Sequence, residues 1–98
     1  MDDNKLAKAF KALSHPNRLQ MYTEMLRQQS LQSRELKGCA LTDFITALNV
    51  GAPTVSHHVK ELVNADLIRI ERNGKYVNCF LNDVMCQQLK KFFCQADA

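Results

Sequence analysis

Residues 49–66 read Asn49-Val50-Gly51-Ala52-Pro53-Thr54-Val55-Ser56-His57-His58-Val59-Lys60-Glu61-Leu62-Val63-Asn64-Ala65-Asp66, and the architecture turns on this stretch. Gly51 suits a turn and also a helix cap, and Pro53 fits a first helical turn, where its missing N–H has no intrahelical partner. A helix is therefore expected to start close to Ala52. At roughly 100° per residue, Val55, Val59, Leu62 and Val63 fall in one apolar sector, while His57, Lys60, Glu61 and Asn64 lie opposite, flanked by Thr54 and Ser56. One face packs and the other is open to a ligand. Short hydroxyls, an imidazole, an amide and a Lys suit base edges and phosphates in a DNA major groove, so the stretch reads as the turn and recognition helix of a helix-turn-helix.

Upstream, Thr42 reads as an N-cap followed by Asp43, with Phe44, Ile45 and Leu48 as the buried side of a short helix, the first of the helix-turn-helix. Further upstream, Leu6, Phe10 and Leu13 recur at helical spacing from Asn4 to Leu13. Pro16 ends that helix near His15 and opens a second one, which Leu19, Tyr22 and Leu26 continue with Met21 and Met25 beside them. Arg27 to Gly38 is polar, lacks a clean period and reads as helix end plus connection. Downstream, Leu67 to Arg72 alternates as a strand, Asn73-Gly74 is a two-residue hairpin signal, and Lys75 to Leu81 returns. That hairpin is a wing. With this turn Arg72 faces Lys75, Ile70 pairs with Val77 and Ile68 with Cys79, which points Cys79 at the core and leaves Arg69, Glu71, Tyr76 and Asn78 on the other face. A last helix runs from an N-cap at Asn82 to about Gln95, with Val84, Met85, Leu89, Phe92 and Phe93 apolar.

The fold class expected is thus mainly α with a β-hairpin (α+β), a winged helix-turn-helix in the order α-α-α-α-β-β-α. Ninety-eight residues make one domain spanning 1–98, small enough that pairing would add useful burial, and the apolar surface of the first and last helices suggests a homodimer seam there. A content of 46% hydrophobic and 23% charged residues is ordinary for a globular chain, and the net charge of +3 tilts towards an anionic partner. No apolar run approaches the roughly 18 residues of a membrane span and the N-terminus lacks a signal-peptide core, so a cytoplasmic chain with no membrane partner is expected. The four cysteines, Cys39, Cys79, Cys86 and Cys94, form no CxxC pair and read as thiols rather than a disulfide framework.

The run Leu13-Ser14-His15-Pro16-Asn17-Arg18-Leu19, the run Pro53-Thr54-Val55-Ser56-His57-His58-Val59, and the Leu62, Ala65, Asp66, Leu67, Ile68 pattern resemble the ArsR/SmtB family of dimeric bacterial winged-helix repressors across nearly the whole chain. The resemblance implies repression of a nearby promoter by a homodimer on a pseudo-palindromic operator, released by a metal ion, an oxidant or a reactive sulfur species. The chain departs from the family at its signal sites. Ala40 and Thr42 stand where one site has two cysteines, with Cys39 displaced by one; Asp83 is followed by Met85 where another has an Asp-x-His; and no histidine follows His58. A redox pair joining the second and last helices lacks its helix-two cysteine. Asp66 stands where glycine is usual, and the segment from Arg27 to Ala40 is longer than the usual connection.

Candidate DNA-binding residues are Thr54, Ser56 and His57 for bases, and Lys60, Arg72, Asn73 and Lys75 for phosphates or a minor groove. For each the alternative is a solvated surface side chain. His58 lies about 60° from the centre of the apolar stripe and is expected to anchor the helix through a hydrogen bond. None of the usual family metal sites is present and no cofactor is assigned; a thiol-bound metal or metalloid, or thiol oxidation, at Cys39, Cys86 and Cys94 stays open beside purely structural thiols. Cys86 and Cys94 are about 80° apart in azimuth and about 12 Å apart along one helix, too far for a shared metal or disulfide within it. No spacing joins a cysteine to His57 or His58 as a catalytic pair, so no enzyme is expected. The competing readings are a winged-helix module that binds protein, which a carboxylate-rich recognition face would favour, and a constitutive regulator without a signal.

Overall fold

The computed structural model describes residues 2–31 and 39–95. The first helix, α1, spans Asp3–Leu13, and the Asp2 carboxylate accepts the N–H groups of Asn4 and Lys5 at its N-terminus. Its core residues are Leu6, Ala9 and Ala12; Phe10 and Leu13 lie half-buried beside them. The small alanines let the helix backbone approach its neighbours closely, which a search for large apolar residues does not register.

The second helix, α2, begins at Pro16 and extends to Leu31, so the stretch from Arg27 is helical for longer than its polarity suggests. Ion pairing supports this exposed end: Arg27 pairs with Glu24 one turn back, and Gln28 donates to the same carboxylate. The rest of the expected connection, 32–38, lies outside the described residues. The buried side of α2 also differs in phase from the expected stripe. Met21, Tyr22 and Met25 are buried, whereas Leu19 and Leu26 are 50% and 39% exposed. The helix has two apolar faces, one against the core and one along a groove.

A short strand, β1 (Cys39–Ala40), leads into α3 (Leu41–Leu48). Because α3 already starts at Leu41, Thr42 sits inside its first turn instead of capping it; the side chains of Thr42 and Ile45 lie outside the description. Phe44 is the buried anchor of α3. Asn49 then takes a positive φ of 54°, which a short amide side chain tolerates, and turns the chain into α4 (Ala52–Asn64). As expected, Gly51 caps α4 and Pro53 stands in its first turn.

The hairpin is formed by β2 (Ile68–Asn73) and β3 (Tyr76–Leu81), with the connecting turn at Gly74-Lys75 rather than Asn73-Gly74. Ile70 therefore faces Cys79 and Ile68 faces Leu81, correcting the Val77 and Cys79 pairings. Gly74 has a φ of +62°, and glycine in the first of the two turn positions is the arrangement of a type II′ hairpin. The slip moves every pairing by an even number of residues in total, so each side chain keeps its face. Cys79 is fully buried, as the alternation requires. The strand that the sequence did not announce is β1: it pairs antiparallel with β3, Cys39 opposite Cys79, giving the sheet order β1-β3-β2.

The last helix, α5 (Asp83–Cys94), is capped by the Asn82 carboxamide, which accepts from Val84 and Met85. Met85 and Leu89 enter the core while Val84 and Phe93 are each 67% exposed. Phe10 of α1 meets Phe92 and Phe93 at centroid distances of 5.3 and 5.8 Å, tying the first and last helices together. Among the described residues, no helix is long and apolar enough to cross a membrane.

Candidate nucleic-acid interface

The interface is built on the two faces of α4. Val55, Val59 and Leu62 are buried against the core, with His58 beside them; Thr54, Ser56, His57, Lys60 and Asn64 are exposed on the far side. Burying three aliphatic side chains contributes on the order of 5 kcal/mol, enough to hold the helix while its other face stays solvated. The four DNA-binding candidates of α4, Thr54, Ser56 and His57 for bases and Lys60 for phosphate, thus share one surface. Glu61 is half-buried at its margin.

The wing carries the second group. Arg72 and Lys75 are exposed at its tip, and the side chain of Asn73 lies outside the description. Further down, Arg69 bonds Glu71 at 2.6 Å and stacks over the Phe80 ring at 4.4 Å. That pairing offsets the Arg69 charge on the wing's outer face, leaving the tip as its basic end.

The end of α4 sets the angle between these two groups. Leu67 donates its N–H to the Leu62 carbonyl and Asp66 donates to Val63, the paired bonds of a Schellman motif, with Asp66 in the left-handed conformation at φ 61°. Leu62 and Leu67, the apolar pair that accompanies this motif, are both fully buried.

His58 is the anchor expected of it. It is only 4% exposed, and its Nδ1 accepts from the Arg18 Nε at 3.2 Å. Its ring lies 4.5 Å from that of His15 and 6.0 Å from that of His57. Burial lowers the His58 pKa below its usual 6.5, helped by His15, Arg18 and His57. His15 in turn caps α2, its Nδ1 accepting the Asn17 N–H at 3.2 Å while its carbonyl accepts from Leu19. The contacts of Arg18 and His15 with His58 were missed in the sequence, where they stood only as part of a family resemblance. The signal that would have found them is a polar pair beside Pro16 opposite a histidine on an apolar face.

The thiols occupy different environments. Cys79 is in the core, Cys94 is exposed, and the Cys39 side chain lies outside the description. Cys86 sits 3.2 Å from the Tyr22 hydroxyl, and burial pushes its thiol pKa up, opposing thiolate formation at neutral pH. Among the described residues, no three His, Cys, Asp or Glu side chains group as a metal-binding set.

No protein-family model matches this chain, and no curated protein matches it in sequence. Solved structures do match in shape. An ArsR-family transcriptional regulator superposes with a TM-score of 0.77 at 14% identity, over 99% of this chain and 91% of that one. The transcriptional repressor BigR from Xylella fastidiosa gives 0.68 at 21% identity, over 98% and 89%. The homodimeric winged helix-turn-helix DNA-binding domain of Mb0332 from Mycobacterium bovis, described as a possible ArsR-family regulator, gives 0.68 at 20% identity, over 96% and 80%. The chain has the winged helix-turn-helix fold of these regulators.

Proposed function

We propose that this chain is a cytoplasmic, DNA-binding transcriptional regulator of the ArsR/SmtB type, acting as a homodimeric repressor on a pseudo-palindromic operator, and not an enzyme. The observation that carries the reading is the exposed polar face of α4, with Thr54, Ser56, His57 and Lys60 displayed opposite a fully packed apolar side. In this reading two copies of α4 enter successive major grooves about 34 Å apart, and the Gly74-Lys75 wing tips reach the flanking grooves. Thr54, Ser56 and His57 read bases; Lys60, Arg72, Asn73 and Lys75 meet phosphates or the minor groove. The net charge of +3 per chain adds sequence-independent attraction.

Support for pairing comes from an apolar groove of about 480 Å³ between α1, α2 and α5, lined by Phe10, Leu13, Leu19, Leu26 and Phe93 among others. Exposed apolar side chains on α2 and α5, beside the half-buried Phe10 and Leu13 of α1, are what an isologous seam would cover. The homodimeric state described for Mb0332 agrees with that arrangement. Release by a thiol-bound metal or metalloid, or by oxidation at Cys39, Cys86 or Cys94, stands beside a constitutive regulator whose thiols are structural.

The test is fluorescence-anisotropy binding to the DNA upstream of the chain's own gene, with the protein reduced, oxidised, and separately exposed to arsenite, Zn(II) and Cd(II). Specific binding lost in one state supports a repressor and names its signal. Specific binding unchanged in every state supports a regulator whose thiols are structural. No specific binding in any state overturns the reading in favour of a protein-binding module.

A further inference from the structure

Three groups that carry or accept protons meet behind the recognition helix: His58 from α4, His15 from the α1–α2 junction, and Arg18 from α2. Arginine keeps its protons at any physiological pH, so the His58 Nδ1 that receives the Arg18 Nε–H at 3.2 Å must present a lone pair. His58 is thereby held neutral, with its proton on Nε2. Beside it stands His15, whose Nδ1 receives the Asn17 backbone N–H. Their rings lie 4.5 Å apart, beside a guanidinium and at the positive end of the α2 dipole. A proton added to His58 converts its acceptor into a donor aimed at Arg18 and places a second cation inside a buried contact.

We propose that Arg18 and His15 are positioning residues for the recognition helix: they hold His58 as a neutral acceptor, so that the pose of α4, and with it operator preference, depends on His58 remaining unprotonated. The proposal rests on the DNA-binding reading above for its functional half and on the α2–α4 contact alone for its structural half. The groups acting on His58 come from each side of that contact: His15 from the junction, Arg18 from α2 and the exposed His57 from α4 itself.

The sign follows from which form the fold selects. Because the folded protein favours neutral His58, it binds fewer protons there than the unfolded chain does. The anchor's contribution is complete above about pH 6.5 and is lost as the pH falls below that value through the folded-state titration. Once the pH is below the folded-state pKa of His58, which lies under 6.5, operator preference drops by up to about tenfold per pH unit. Dividing operator by non-specific affinity removes electrostatic gains common to all DNA, and comparison with a His58 variant that keeps the exposed face of α4 separates His58 from the readers.

The experiment measures this ratio from pH 8 to pH 5 for the wild type and for His58→Asn, whose Oδ1 stands where Nδ1 does and accepts from Arg18 without titrating. The expected result is a ratio that falls on acidification in the wild type, and a clearly smaller fall in His58→Asn with its value at pH 7.5 retained within about threefold. A flat wild-type profile, or an equal fall in His58→Asn, overturns the proposal. In parallel, NMR of the wild type follows the imidazole nitrogens of His58 and amide exchange along α4, which requires neither DNA nor a variant. Faster α4 exchange that tracks His58 protonation supports the anchor even where no operator is bound, a result that would count against the DNA reading only. Exchange indifferent to His58 protonation overturns the anchor itself.

Discussion

His57 and His58 are neighbours in sequence with opposite fates, because successive residues on a helix are turned by about 100°. That rotation was legible: the stripe of Val55, Val59 and Leu62 placed His57 outside and His58 at the edge of the packed face. What was not legible was the partner, since Arg18 is 40 positions upstream and only tertiary packing brings it within 3.2 Å. The exposed side chains separate into readers and chargers, and substitution distinguishes them. Lys75→Ala is expected to weaken binding to every sequence and to lower the salt slope by about one, whereas His57→Ala is expected to cost about 1–3 kcal/mol on the operator and less on non-specific DNA. Anisotropy titrations on both DNAs at several salt concentrations check this; equal losses for His57→Ala would remove it from the readers.

At the scale of elements, the joint between α4 and β2 shows how a local backbone demand can be met imperfectly. The Schellman motif needs a left-handed residue, and Asp66 occupies that position with φ 61°. An L-residue there carries roughly 1–2 kcal/mol of strain, partly relieved for Asp, while glycine's extra unfolded-state freedom offsets part of the gain from removing it. Asp66→Gly is therefore expected to stabilise the fold by about 0.5 kcal/mol, read as a higher urea midpoint with an unchanged m-value. Elements with a strong period or a strong cap, such as α4 and α5 with Asn82, could be placed from the sequence alone. The hairpin register could not, because Asn73-Gly74 and Gly74-Lys75 are both acceptable turns and both keep Cys79 inside. β1 was hidden for a simpler reason. Two residues carry no period, and only the opposing β3 gives them strand geometry.

The whole molecule explains the misplaced stripe on α2. Leu19, Tyr22 and Leu26 do form an apolar row, but it lines the groove shared with Phe10 and Phe93, while Met21 and Met25 fill the core behind it. A sequence shows that a face is apolar; it does not show whether the surface it meets belongs to the same chain. If the groove is a seam between copies, Phe93→Glu is expected to shift the protein to monomer in sedimentation experiments at micromolar concentration. The cost to the single chain should stay near 1 kcal/mol, because Phe93 is 67% exposed and its ring meets those of Phe10 and Phe92 at the margin of the core. An unchanged sedimentation profile would place the dimer contact elsewhere.

The sheet order β1-β3-β2 has a consequence for how this protein survives crowding. β3 lies between the two outer strands, so among the described residues β2 is the longer rim of the sheet and the two-residue β1 the shorter, and a rim strand is where a stray chain would pair. Arg69 and Glu71, joined across alternate positions on that strand, place a salt-bridged charge pair where an aggregating neighbour would need to lie flat. The feature that leaves the wing slender enough to probe a groove is thus the one most exposed to fibrillar pairing. The same two charges guard it.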